Sequence, residues 1–338
     1  MRDRKGAEVW LVAVKGTFLI NSDGKLNLAE EQEEVHLAPA FRGAPEATSL
    51  QHDSDLHHKK NSTDILVEGH AWAPDGKPVR KLDVSLKIGP VHKVLRIIGD
   101  RIWKESIVGL SRSSPLPFVK MPITYERAFG GTDQISKKRK HHGWEARNPV
   151  GCGFATRPEH LIGKTLPNIE DPACLIQNWD DKPKPAGFGP IAGHWSPRVE
   201  LAGTYDQEWE QNRLPLLPED FNDGFYQCAP EDQQVPGFLK GGERVQVTGM
   251  TPNGLLVFHL PRITLGFTTY FDGSSQAVHR GVLHTVRIIP DENKLIMVWH
   301  TNLECHHRVL QLVGTTIRIK QRLFVSQKAN EDNSWEFA

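Results

Sequence analysis

The chain has 338 residues, and its 41 Lys and Arg balance its 41 Asp and Glu, so the formal net charge is zero. That balance argues against a general polyanion binder, which needs a net basic field, and no apolar stretch approaches the roughly 20 residues of a membrane-spanning helix. The 29 glycines and 23 prolines make up about 15% of the chain against about 12% in an average protein; with nine Trp and fourteen Phe they favour a turn-rich β domain over a helical bundle.

The charged start is followed by an apolar run, residues 9–14, too short for a signal peptide and without a small-residue cleavage pattern after it. Residues 9–14 place apolar side chains on both sides of an extended chain, predicting a strand buried on both faces. Residues 17–20 continue it to a turn at Asn21-Ser22-Asp23-Gly24. Residues 30–64 are polar. An acidic block at 30–34 and the mixed block His52, Asp53, Asp55, His57, His58, Lys59, Lys60 read as a long solvated connection. Strands follow at 64–72, 81–88 and 93–98. In 81–88, Leu82, Val84, Leu86 and Ile88 share one face and Lys81, Asp83, Ser85 and Lys87 the other. Gly89-Pro90 turns this strand into a hairpin with 93–98, predicting an antiparallel sheet with one wet face.

From about 110 to 240 the pattern breaks. Fifteen prolines interrupt any long element, and only 206–213 reads as helical. Such a stretch is too long for one structureless loop in a compact domain, so it reads as a pinned, loop-built surface or as a region without readable pattern. Strands return at 244–248, 254–260, 282–289, 294–300 and 315–321, with a hairpin turn at Pro290-Asp291-Glu292-Asn293. The expected fold is mainly β, with β-rich α+β as the variant. Sandwich-like antiparallel sheets flank a Pro/Gly-rich irregular middle with few short helices. A single large domain is expected over 1–325, strand-rich at 8–108 and 244–321 and irregular at 110–240. A frayed tail follows at 326–338.

Few residues carry an enzyme's signature. The segment Gly187-Phe188-Gly189-Pro190 lacks dinucleotide-binding spacing, and no Walker motif exists, so no cofactor is expected. Cysteines 152, 174, 228 and 305 form no Cys-x-x-Cys and are expected to be reduced thiols rather than zinc ligands. The 52–58 histidines and Cys305-His306-His307 lack metal-ligand spacing and read as solvated; no metal is expected. The basic run at 137–142 has no interleaved aromatics and reads as a solvated loop rather than a nucleic-acid site. Glu126, Glu170, Asp206, Asp220 and Asp232 are the carboxylates from which an acid/base pair would have to converge.

The remaining signal is a density of large, specific side chains inside turn-rich sequence. These segments are Arg101-Ile102-Trp103, Tyr125-Glu126-Arg127-Ala128-Phe129-Gly130-Gly131, Asn148-Pro149-Val150-Gly151-Cys152-Gly153, 166–170, 185–190, Trp195-Ser196-Pro197-Arg198, 202–206 with Trp209, and 229–234. Arg101, Trp103, Tyr125, Glu126, Arg127, Asn148, Glu170, Trp195, Arg198, Tyr205, Asp206 and Trp209 are candidates either for binding a partner or for pinning loops. Pairings of the Glu126–Arg127 and Arg198–Asp206 type are expected to hold such loops, and Trp103 and Trp209 are expected to be buried.

In this order, from Val12-Ala13-Val14-Lys15-Gly16-Thr17-Phe18 through Thr63-Asp64-Ile65-Leu66-Val67-Glu68-Gly69 to Leu260-Pro261, the series resembles the effector-adaptor (chaperone) proteins of bacterial type VI secretion. The resemblance implies a non-enzymatic, cytoplasmic protein that binds a toxic effector and helps load it onto the valine-glycine-repeat (VgrG) spike. It brings no catalytic residue, no cofactor, no nucleic acid and no membrane partner. Two other readings stand beside it. One is a cell-wall-directed or other hydrolase using two of Glu126, Glu170 and Asp206 as acid and base; the other is a structural component of the secreted spike.

Overall fold

The structure is a computed structural model that describes residues 2–3, 5–107, 109–322 and 334–337. In chain order the strands used below are β1 (Val9–Ile20), β2 (Leu26–Leu28), β3 (Ser62–Val67), β4 (Lys81–Ile88), β5 (Val91–Ile98), β6 (Ile169–Glu170), β7 (Gln234–Pro236) and β8 (Arg244–Thr248). They continue with β9 (Leu255–His259), β10 (Arg262–Phe271), β11 (Ser275–Arg280), β12 (Val282–Ile289), β13 (Lys294–Glu304), β14 (Leu312–Arg322) and β15 (Ser334–Phe337). Three larger sheets result: β7-β3-β12-β13-β1-β2, β6-β5-β4-β8-β9 and β11-β10-β14-β15. Neighbours run antiparallel except β3 and β12, which are parallel, with Asp64 opposite Thr285.

The two-residue period decides which side chains enter the core. Along β4, Val84, Leu86 and Ile88 are buried while Lys81, Asp83 and Lys87 are exposed. One contiguous core joins all three sheets, with Phe18, Ile65 and Met297 from the first, Leu86, Leu95 and Val247 from the second, and Leu265 and Phe267 from the third. Each such side chain contributes about 1.5–3 kcal/mol by leaving water. A smaller core, with Trp103, Phe129, Leu161 and Leu166, lies under the loops of the middle region.

Most predicted strands form, with instructive departures. Residues 10–15 of β1 are half-buried on both faces, between a buried Val9 and the buried Gly16, Thr17 and Phe18. The strand expected at 64–72 breaks after Val67, because Glu68 turns to Arg287 and Arg42 and residues 70–72 leave to pair with Lys120–Pro122. The hairpin β10–β11 is not among the predicted strands, although Leu265, Phe267, Thr269 and Phe271 alternate as buried residues along β10. Beyond the four-residue strand Gly109–Arg112 at its start, the middle region holds among the described residues two- and three-residue strands, single 3-10 turns and one short helix, α1 (Gln207–Asn212). Asp206 caps α1 by accepting from the Trp209 amide at 2.9 Å, as a helix beginning at 206 requires. Of the tail expected to fray, residues 326–333 and 338 lie outside the described residues, and Ser334–Phe337 pairs with β14. No helix among the described residues is long and apolar enough to cross a membrane.

Candidate functional site

The motif segments hold one another by side-chain bonds to backbone. Asn148 is fully buried, and its amide donates to the Tyr125 carbonyl at 2.8 Å and the Phe129 carbonyl at 3.0 Å. Gly151 lies so close to the Asn148 amide that a Cβ there would collide with it, which explains a glycine three residues on. Arg101 is buried against the Glu170 carboxylate and donates to the Pro167 carbonyl at 2.7 Å; the other Glu170 oxygen accepts from the Ile176 amide at 2.8 Å. Arg198 is buried 2.8 Å from Asp53 and donates to the carbonyls of Phe225 and Ile191. Trp195 is fully buried and meets Tyr125 edge-on, with ring centroids 5.8 Å apart.

The expected pairings are replaced by others. Glu126 and Arg127 are neighbours on a 3-10 turn, where adjacent side chains diverge. Glu126 accepts from the Ser49 amide and hydroxyl, and Arg127 donates to Asn168 at 3.0 Å. Arg198 turns inward to Asp53, and Asp206 is occupied as the cap of α1. Trp103 is buried as expected. Trp209 is only half-buried: its indole donates to the Leu216 carbonyl, and its ring meets Tyr205 edge-on at 4.7 Å. Tyr205 is 53% exposed, the one aromatic of the candidate set left open to solvent.

These loops wall a cleft of about 840 Å³ beside β5. Residues 92–95 of β5 form one side; Pro172, Pro185, Ile191, Pro197 and Pro230 supply apolar surface on the others, with Arg147, Asp171, Lys184, Glu200, Glu231 and Asp232 among them. Lys93 reaches Asp232 at 2.8 Å and the Gln233 side chain at 2.9 Å. Burial holds the Lys93 pKa below the usual lysine range, and Asp232 only partly offsets it. Gln233 is fully buried and donates to the carbonyls of Ile65 and Phe188, tying the cleft wall to β3.

The polar block at 52–60 is the main correction to the sequence reading. Instead of a solvated loop it packs onto the six-stranded sheet. Lys60 is 2% exposed; its ammonium lies 2.6 Å from Asp64 and 3.1 Å from the Thr285 hydroxyl. Asp64, fully buried, also accepts from the Gln227 side chain at 2.6 Å and the Cys228 amide at 2.9 Å. Burial alone would lower the Lys60 pKa, but the Asp64 carboxylate outweighs it and holds the ammonium above its ordinary range. Lys15 pairs with Asp55 at 3.1 Å. Around this network His57, His284 and His300 are buried, and His284 stacks on His300 with centroids 4.7 Å apart. Burial depresses His57 and His284 to about 2 and His300 to about 4, so all three are neutral at pH 7. Only Lys60–Asp64, four residues apart, left a local trace of this network; its other partners lie far away in sequence.

All four cysteines are free thiols. Burial pushes Cys152 up to about 11 and Cys228 higher still, so neither is a thiolate at neutral pH. Asp220 accepts from the Thr204 amide and hydroxyl, and Asp232 holds Lys93, so each candidate carboxylate is engaged. Among the described residues no three His, Cys, Asp or Glu side chains converge to hold a metal ion. The basic run at 137–140 is exposed, whereas Cys305 is buried with His306 and His307 outside it.

No curated protein and no solved structure matches the chain. Residues 5–300 match the family described as "Uncharacterized protein conserved in bacteria (DUF2169)". A match over that length of the chain, spanning the core and every motif loop, makes it a member of this bacterial family.

Proposed function

We propose that the chain is a non-enzymatic effector adaptor of type VI secretion, which binds a cognate toxic effector in the cytoplasm and helps load it onto the VgrG spike. The observation that carries this reading is the employment of the motif residues. The side chains that resemble the adaptor family are spent on pinning a loop-built wall, and the wall encloses a cleft of about 840 Å³. The same region also exposes apolar and aromatic side chains, including Leu116, Trp144, Ile162, Val199 and Tyr205. A rigid frame with exposed anchors suits protein recognition. A hydrolase needs two free carboxyls facing a substrate, whereas Glu170 is locked to Arg101, Glu126 to Ser49 and Asp206 to the end of α1.

The test is co-expression with the product of the toxin gene encoded beside it. The adaptor reading expects a complex that co-purifies, and loss of toxin delivery when the adaptor gene is deleted. Absence of both a complex and a delivery defect would overturn it.

A further inference from the structure

We infer that the outer edge of β5 is a strand-addition site, at which an extended, basic segment of a partner protein pairs with His92 and Val94 inside the cleft. That the partner is a secreted effector rests on the adaptor reading; the site itself does not.

The register fixes which backbone groups face outward. The Ile98 amide donates to the Asn168 carbonyl at 2.7 Å, away from β4, and Arg96 lies opposite Glu170 on β6. In an antiparallel strand this alternates by two, so Val94 and His92 also direct N–H and C=O outward, while Lys93 and Leu95 face Leu86 and Val84 on β4. β6 covers the edge only as far as Arg96. Continued, its register would set Pro172 opposite Val94, and proline has no N–H to give. There the chain leaves the sheet. Among the described residues no backbone or side-chain bond reaches the outward groups of His92 and Val94, and the cleft occupies the place of the missing strand.

An open edge of this kind is a template for another strand. At about 3.3 Å per residue, positions 92–95 accommodate a paired segment of roughly four residues. The cleft also states its preference in charge. Asp171, Glu200 and Glu231 are exposed and take part in no ion pair among the described residues; Lys184 is the single cation there in the same condition. The local surplus is acidic, so Lys or Arg flanking an alternating apolar segment complements it. Pro172, Pro185 and Pro197 line the remaining walls, where they offer apolar surface without competing N–H groups.

The probe is a displayed library of random 12-residue peptides, selected on the immobilised full chain, with the recovered peptides then synthesised. Strand addition expects alternating apolar sequences carrying Lys or Arg. Their affinity should fall at least ten-fold for Val94→Pro, which removes one outward donor and leaves the bonds to β4 intact. Charge reversal at two exposed sites, Glu200→Lys with Glu231→Lys, should weaken binding several-fold. On the unaltered chain, the His92 and Val94 amides should exchange quickly alone and become protected with peptide bound; this readout, with the charge reversal, decides the matter should Val94→Pro fail to fold. Binding indifferent to both variants, unprotected amides, or recovery of no such peptides would overturn the proposal. A toxin complex that forms with those amides unprotected refutes the edge site and leaves the adaptor reading standing. Protection by peptide without any toxin complex does the reverse.

Discussion

The two ends of the chain and its middle are ordered by different means. In the sheets, each residue is held by ladder bonds repeated along the strand, as in the eleven register pairs that join β1 to β13. Losing one side chain there leaves the ladder intact. In the middle region, order depends on a few buried side chains: Asn148, Arg198 and Gln233 each donate to two backbone carbonyls, and Arg101 joins the Pro167 carbonyl to the Glu170 carboxylate. The loop-built part should therefore be the more brittle, and the cleft it encloses correspondingly rigid.

The largest expected effect follows from breaking one pin. Arg101→Ala leaves Glu170 buried without its counter-charge and should cost about 3–5 kcal/mol, whereas Ile296→Val in the centre of β13 should cost about 1 kcal/mol. Chemical denaturation of both variants checks the ratio; equal losses would break the contrast between the two regions.

The sheet region has its own weakness, in acid. His57, His284 and His300 are held neutral in the folded chain and take up protons below about 6.5 once unfolded. The unfolded state then binds more protons, so their stability contribution is complete above pH 6.5. It is lost as pH falls toward about 4 for His300 and about 2 for the other two, at about 1.4 kcal/mol per pH unit for each histidine. Thermal unfolding between pH 7.5 and 5 should show this loss, and His284→Phe should reduce its slope.

A smaller effect is expected at Gly187, where a Cβ would stand 2.9 Å from the Tyr125 ring; Gly187→Ala should cost about 1–3 kcal/mol by forcing Tyr125 off Trp195. The smallest effect on stability belongs to Tyr205→Ala, within about 0.5 kcal/mol, because the side chain is open to solvent. If Tyr205 anchors the partner, the same change should weaken binding by about 2 kcal/mol, read by calorimetric titration with the purified partner.

The same difference explains what could be read from the sequence. Strands β4, β8 and β12 are legible because the period of two is a local signal, and α1 because Asp206 caps it three residues before Trp209. The motif segments stand out by composition, but their partners do not: Arg198 meets Asp53 and Arg101 meets Glu170 only once the chain has folded. The 52–60 block misleads for the same reason. A run of charge looks solvated until Thr285 and Gln227 are brought from distant parts of the chain around the Lys60–Asp64 pair. The cleft combines both kinds of information, since one wall is a legible strand and the others are loops whose pins are non-local.

The proposed adaptor role requires the pinned middle region to present a surface for a protein partner. The most direct test of that reading is light scattering after size-exclusion chromatography of the full chain co-expressed with a candidate effector, beside the same preparation carrying Tyr205→Ala. A discrete complex is expected with the unaltered chain and a weakened one with the variant, whose own fold is unchanged. Co-elution of neither chain with the effector, with both chains folded, would contradict the proposal.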